Sequence, residues 1–275
     1  CFLVAKFMEE SPRWLAMKGK HKEANALVSK WEEEARAHGH TIEEVSDKYI
    51  TEEAGKREVK QLPTKVLFTN KALLKRLVVA AALCWTNFVV VYTIVSWTPT
   101  IFVTRGFDVT YSVAMSVVMN LGIPLGVFIL SQLVDRFGRK PQLIILMPLS
   151  GILGLAWSFV PADQTALIMA LGFIMVAMVY YWSLICSSVY LSEPFPTEVK
   201  IRAAGFANAF GRIGAILNPI WVAYFLTTDL GAIGIFGVSL LTACVAAILV
   251  AIWGVETKGK TLEEINDVVF KETNN

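Results

Sequence analysis

Arg212 is the one charged residue within six long apolar runs that fill most of the sequence. A guanidinium at bilayer depth costs at least roughly 2.5–3.5 kcal/mol, and unlike a buried lysine it cannot shed its proton. Such a cation faces a bundle interior or a wet cavity, where it can hold a carboxylate through two parallel hydrogen bonds. Asn208, four residues earlier, falls on the same helical face. Trp85, Asn87 and Tyr92 in the first run, Asn120 in the second, and Tyr181 and Trp182 in the fourth add aromatic plates and amides to apolar walls. That is the composition of a small-molecule site. Small and amide residues also act as glue between membrane helices, so Ser112, Ser116 and Asn87 carry both readings. Arg212 itself has an alternative role as half of a structural ion pair.

A second set of charges sits at the ends of the runs: Glu10, Arg13, Asp135, Arg136, Arg139, Glu193, Arg202 and Glu256. Exposed pairs of this kind are worth roughly 0–1 kcal/mol each, more where desolvated. That magnitude suits a gate between two states of similar energy. Plain positive-inside charge explains the arginines and lysines, but not the acids at repeated run ends. Chemistry of other kinds has no support. No nucleophile–base pair, metal-ligand cluster or phosphate-cradling glycine loop is present, which argues against an enzyme and against an ATP-driven pump. His21, His38 and His40 lie in a charged stretch and read as solvated. Cys1, Cys84, Cys186 and Cys244 form no CxxC and read as reduced packing residues. A net charge of +2 with no basic aromatic patch gives no reason to expect a nucleic-acid partner.

The elements that must position these residues follow from the runs, at about 77–103, 111–134, 141–160, 165–191, 203–227 and 231–254. A bilayer core of ~30 Å needs about 20 apolar residues per helix, and a backbone in lipid must satisfy itself. Six transmembrane helices are therefore expected, in an all-α membrane protein. Residues 9–76 are polar and read as a linker with amphipathic helices: Ala24, Leu27, Val28, Trp31 and Ala35 recur at helical spacing, and Thr41–Glu44 is a capping box. Residues 256–275 read as a tail in which Thr261–Glu264 caps a short helix. Residues 1–8 read as the end of an earlier apolar helix, so the sequence is expected to be the second half of something longer. Lysine and arginine crowd the linker, the 136–140 loop, Lys200, Arg202 and the tail, whereas the opposite loops carry only Arg105. Both ends of this stretch are then expected in the cytoplasm. Gly122, Gly126, Gly231, Gly234 and Gly237 are expected at close helix contacts, and Pro124, Pro148 and Pro219 at kinks. Gly205, Gly211 and Gly214 are expected to leave room beside Arg212.

Glu10-Ser-Pro-Arg13, Asp135-Arg-Phe-Gly-Arg-Lys140, Glu193-Pro-Phe-Pro-Thr197 and Glu256-Thr-Lys-Gly259 stand in order at the loop ends. Together they resemble the carboxy-terminal half of a major facilitator superfamily transporter, of the sugar-porter and organic-ion kind, over essentially the whole chain. The resemblance implies helices seven to twelve of a twelve-helix fold, with the central cytoplasmic linker. Departures are visible. Ser131 stands where the loop motif opens with glycine, residues 84–92 lack the paired glutamines of hexose carriers, and Ser188 replaces a tryptophan. These point away from a hexose and towards carriers of aromatic acids and small metabolites, with Arg212 placed as in organic-anion carriers.

The expected function is therefore secondary active or facilitative transport of a small organic, anionic or aromatic metabolite by alternating access. A sugar carrier of the same superfamily and a non-transporting membrane receptor are the alternatives. The expected surroundings are a small-molecule substrate, the lipid bilayer of a bacterial inner membrane or plasma membrane, and an amino-terminal half of the same transporter. No cofactor is expected. Proton coupling would need a carboxylate; no run contains one, so it is expected in the amino-terminal half or at the cytoplasmic end, where Glu193 is a candidate.

Overall fold

The structure, a computed structural model, describes residues 10–17, 19–39, 63–191 and 193–258. Residues 1–60 and 61–275 form two compact units. In the first, α1 (Pro12–Met17) is followed by α2 (His21–Ala37). On α2, Ala24 is buried and Leu27 and Ala35 are half-buried, while Val28 and Trp31 stay exposed. The capping box at 41–44, the tail helix at 261–269 and the apolar start at 1–8 lie outside the described residues.

The second unit is a bundle of six helices long and apolar enough to cross a membrane. A short α3 (Val66–Thr69) leads in. The first span comprises α4 (Lys71–Tyr92), a π-helical turn (Thr93–Trp97) and α5 (Thr98–Thr104). The second comprises α6 (Val109–Asn120) and α7 (Gly122–Phe137). Then follow α8 (Arg139–Ser158), α9 (Thr165–Leu184) with a second π-helical turn (Ile185–Tyr190), α10 (Thr197–Leu226) and α11 (Gly231–Trp253).

The first span starts at Lys71 rather than 77, and the reason is local. The Asn70 side chain accepts from the Ala72 and Leu73 N–H groups and fixes the helix start there. Asp108 caps α6 in the same way, through Thr110 and Tyr111.

Close packing rests on glycines. A Cβ at Gly122 or Gly126 would overlap the Phe173 and Ala177 carbonyls, so α7 and α9 touch backbone to backbone. Gly234 packs under Phe225, whereas Gly231 and Gly237 touch nothing within 4 Å. Gly211 and Gly214 do not leave room beside Arg212. They bring α10 against Cys84, Phe88 and Trp85 of α4, and only Gly205 is open. The apolar core is centred on Trp157, Trp182, Phe102 and Met119, all fully buried. Cys84, Cys186 and Cys244 are free thiols in this packing.

Candidate functional site

One face of the bundle is built by α4 and α10. On α4, Trp85, Phe88 and Tyr92 follow the i, i+3, i+7 spacing of a single stripe. Trp85 lies 5.4 Å from the Phe210 ring, and Phe88 lies 6.1 Å from Tyr92. The Arg212 guanidinium sits 4.8 Å from the Phe88 ring centroid. A ring face attracts a cation, so Phe88 holds the guanidinium in place without neutralising it. Arg212 is exposed on this bundle and forms no ion pair among the described residues. Asn208, one turn earlier and half-buried, donates to the Ala204 carbonyl at 3.0 Å.

Further along the same face of α10, Ala215 and Pro219 stand three and seven positions beyond Arg212. There they line a cavity of about 290 Å³ with Tyr92, Ser96, Trp97, Thr100 and Asn218. Tyr92 thus joins the guanidinium's aromatic cradle to this cavity. The cavity exists because the first span loses α-helical regularity at Thr93–Trp97. Two causes meet there. Pro99 has no N–H to return to the preceding turn, and its ring crowds the carbonyl four residues back. On the other side, the Asn218 amide donates to Val89 O at 3.0 Å and to Thr93 Oγ1 at 2.9 Å, inserting a side chain into the helix ladder. Asn218 is almost wholly buried, and its Oδ1 has no partner among the described residues.

The remaining expected pathway residues are placed differently. Asn87 lies about 100° around α4 from Phe88. It is half-buried, with an enclosed, unbonded Oδ1 among the described residues. Asn120 is half-buried at the end of α6, while Ser112 and Ser116 are buried and Ser116 bonds back to Ser112 O, the glue reading of that stripe. Tyr181 and Trp182 do not reach the α4–α10 face. Trp182 has no exposed surface and donates to Ser150 Oγ at 3.0 Å; the Tyr181 hydroxyl donates to Gln142 Oε1. Both are packed against α8 instead of on that face. A buried indole N–H and phenol need partners, and α8 supplies both. Phe88, Ser96 and Asn218 were missed as site residues. The i, i+3, i+7 stripe through Trp85 and Tyr92 pointed to Phe88, but nothing local marked Ser96 or Asn218.

The expected gate residues separate into groups. Arg139, Glu193 and Glu256 come together at one end of the bundle. Glu256 accepts from the backbone N–H groups of Arg139 and Lys140 at 3.1 Å and of Thr257 and Lys258 at 3.0 Å. It therefore caps α8 from 117 positions away. Gly138 precedes that helix at φ +77, where a side chain would be strained and would strike the carboxylate. The α8 start carries no capping side chain of its own, and its orphan N–H groups and positive dipole end find the anion in space instead. Arg139 Nε stands 3.7 Å from Glu193 Oε2, which also accepts the Thr257 hydroxyl. Lys140 Nζ donates to Gly254 O at 2.8 Å and Lys258 Nζ to Arg136 O at 2.7 Å. The Arg136 side chain is exposed. Arg202 bonds to Thr64 Oγ1 at 2.9 Å, away from this cluster's hydrogen bonds. Glu10 is exposed in the other unit, and the side chains of Arg13 and Asp135 lie outside the description.

Six apolar spans, a guanidinium displayed on one lateral face and a charge-knitted end describe a polytopic membrane bundle. Residues 1–269 match the model of the sugar (and other) transporter family, and the chain belongs to that family. It is a family of transporters, not enzymes. The chain is 33% identical over 97% of its length to the inner membrane metabolite transport protein YdjE of Escherichia coli, covering 58% of that protein. It is 28% identical over 96% of its length to the niacin transporter NiaP of Acinetobacter baylyi, covering 57% of it. It thus spans a little over half the length of these relatives. Its fold is that of a double-tryptophan mutant of XylE, with a TM-score of 0.69 at 22% identity over 97% of this chain and 55% of that one.

Proposed function

We propose that the chain supplies one half of a secondary transporter that moves a small organic anion by alternating access, and that Arg212 binds the anion's carboxylate. One observation carries this. Arg212 is exposed on the bundle's side, over Phe88 and without a carboxylate partner among the described residues. A guanidinium cannot rest against hydrocarbon at that depth, so the α4–α10 face borders water and a second protein wall. That wall is the amino-terminal half, which the length of the relatives leaves room for. Asn208, Trp85 and Tyr92 then line the same side, and the cavity beside Tyr92 and Asn218 takes the apolar or aromatic part of the solute. Asn87 and Asn120 stand further round and contribute through polar edges. Arg139, Glu193 and Glu256 form the gate cluster, which the distribution of basic residues puts on the cytoplasmic side. Proton coupling, if this carrier uses it, draws on a carboxylate outside the spans, with Glu193 the nearest.

The niacin relative makes nicotinate a suitable probe. Cells expressing the full-length carrier should take up labelled nicotinate or benzoate, and Arg212→Ala should lower uptake roughly 30–100-fold, the loss of a charge-assisted pair of about 2–3 kcal/mol. Arg212→Lys should recover only part of it, because an ammonium lacks the planar fork. Undiminished uptake and affinity in both variants would exclude the carboxylate role. The family's description favours a sugar as the second reading. Uptake of labelled xylose that survives Arg212→Ala, with no uptake of either acid by the parent, would establish it.

A further inference from the structure

A second concavity lies away from the α4–α10 face and is larger, at about 530 Å³. Its wall on α7 is a stripe at every fourth residue: Leu125, Ile129, Leu133 and Phe137. Ile145 of α8 and Ile174 of α9 oppose it. Two features make it a built groove. At its inner end Gly126 brings α7 onto the Ala177 carbonyl, which closes the space. At its back stands Gln142, whose amide donates to Gly138 O at 2.7 Å and to Val134 O at 3.2 Å and whose Oε1 accepts the Tyr181 hydroxyl. These polar atoms are mutually satisfied, so the groove offers its occupant hydrocarbon and no hydrogen bond.

We infer that this groove seats one acyl chain of an anionic membrane phospholipid, with the headgroup at the Phe137 end. Length supports it. Twelve residues from Leu125 to Phe137 rise about 18 Å along the helix, close to the about 15 Å of one leaflet's share of a ~30 Å hydrocarbon core. Depth and direction agree, because Phe137 and Pro141 lie at the bundle end and Leu125 and Phe173 lie within the spans. Charge supports it too. Arg136, next to Phe137, is exposed, Arg139 and Lys140 stand in the same turn, and Lys258 lies in the segment after α11 that is bonded to it. Glu193 pairs with Arg139, Glu256 caps α8 and Asp135 adds a third acid by sequence, so the cations outnumber the acids by one, and exposed Arg136 is the cation placed to meet a phosphate. Gln142, at the back of the groove, holds the carbonyls of Val134 and Gly138, and Gly138 immediately precedes the α8 start that Glu256 caps. An occupant here braces the turn that the gate cluster grips. The inference holds whatever solute the carrier moves.

Phosphatidylglycerol with a diazirine in its acyl chain, photolysed with the purified protein, tests it directly. Adducts should concentrate in residues 125–146 and 173–181. An even spread that includes the exposed α11 residues Leu241, Ile248 and Ile252 would overturn the inference. Native mass spectrometry should show one phosphatidylglycerol per chain surviving delipidation. Ile129→Trp with Ile174→Trp, which fills the groove from its exposed rims, should lower that retention at least tenfold, while Leu241→Trp leaves it unchanged. Arg136→Gln should lower the preference for phosphatidylglycerol over phosphatidylcholine roughly fivefold. Equal retention of the two lipids by the parent, or equal displacement by an alkyl maltoside, would mean that any hydrocarbon serves, and would also overturn it.

Discussion

Arg212 and Glu256 show how differently a single charge is treated in this bundle. Arg212 keeps its charge on display, held over Phe88 and apart from the described carboxylates. Glu256 is enclosed by four backbone N–H groups from two segments far apart in sequence. The first arrangement leaves a cation on display; the second ties the segment after α11 to the start of α8. Phe88→Leu keeps the apolar bulk and removes the ring quadrupole. It should weaken nicotinate binding a few-fold, in line with a cation–π contact of about 0.5–1 kcal/mol, and leave thermal stability near the parent's. Binding measured at fixed ionic strength decides it, and an unchanged affinity would mean that Phe88 only packs. For Glu256→Ala the expectation is a loss of about 1–2 kcal/mol in unfolding free energy, from removal of the α8 cap. Glu256→Gln should lose less, because the amide oxygen still accepts. Thermal unfolding in detergent ranks the three proteins.

At the scale of elements, the contacts that matter are made by residues too small or too irregular to look important. Gly126 lets α7 meet the Ala177 backbone of α9, so Gly126→Leu should destabilise by about 1–3 kcal/mol through overpacking. Gly205, on α10, has open space around it, and Gly205→Ala should change stability by no more than about 0.5 kcal/mol. Similar losses at both positions would show that close approach does not govern the glycines, since Ala and Leu both favour a helix more than Gly does. The π-helical turn at Thr93–Trp97 is held by Asn218 from α10 and by Pro99 from its own chain. Asn218→Leu removes both bonds and should cost about 1–3 kcal/mol. It should also raise hydrogen-exchange rates at Thr93–Trp97 more than anywhere else in the bundle, because that turn loses its only tie to α10 among the described hydrogen bonds.

Across the whole bundle, the two lateral sides present different chemistry. The α4–α10 side carries Arg212, Tyr92 and a cavity with hydroxyl and amide edges. The α7–α9 groove is lined by hydrocarbon and closes off its polar atoms. One side is suited to water and a protein partner, the other to lipid. The helix α10 of 30 residues is the most exposed of the six spans on this bundle, with Ile216, Ile220 and Tyr224 open. That exposure agrees with the proposal that this span meets an amino-terminal half. The end of the bundle adds a separate feature: α8, the segment after the second π-helical turn and the segment after α11 are joined there through Glu193 and Glu256.

Six spans, their order and their approximate ends were legible in the sequence, because a backbone in lipid must satisfy itself and about 20 apolar residues allow one outcome. Arg212 could be singled out for a related reason: a permanent charge in an apolar run has few tolerable surroundings. The pairing of Gly122 and Gly126 with a neighbouring helix could also be expected, though not which helix. Tyr181 and Trp182 show where such inference stops. Their types suit a pathway and a packed interior equally, and only the arrival of Gln142 and Ser150 on α8 settled them inside. The α8 cap was likewise invisible, since its carboxylate comes from beyond α11. Local composition determines which segments enter the membrane, because solvation acts on each residue where it stands. Which side chains then meet is set by helix rotation and register, which depend on contacts between residues a hundred or more positions apart.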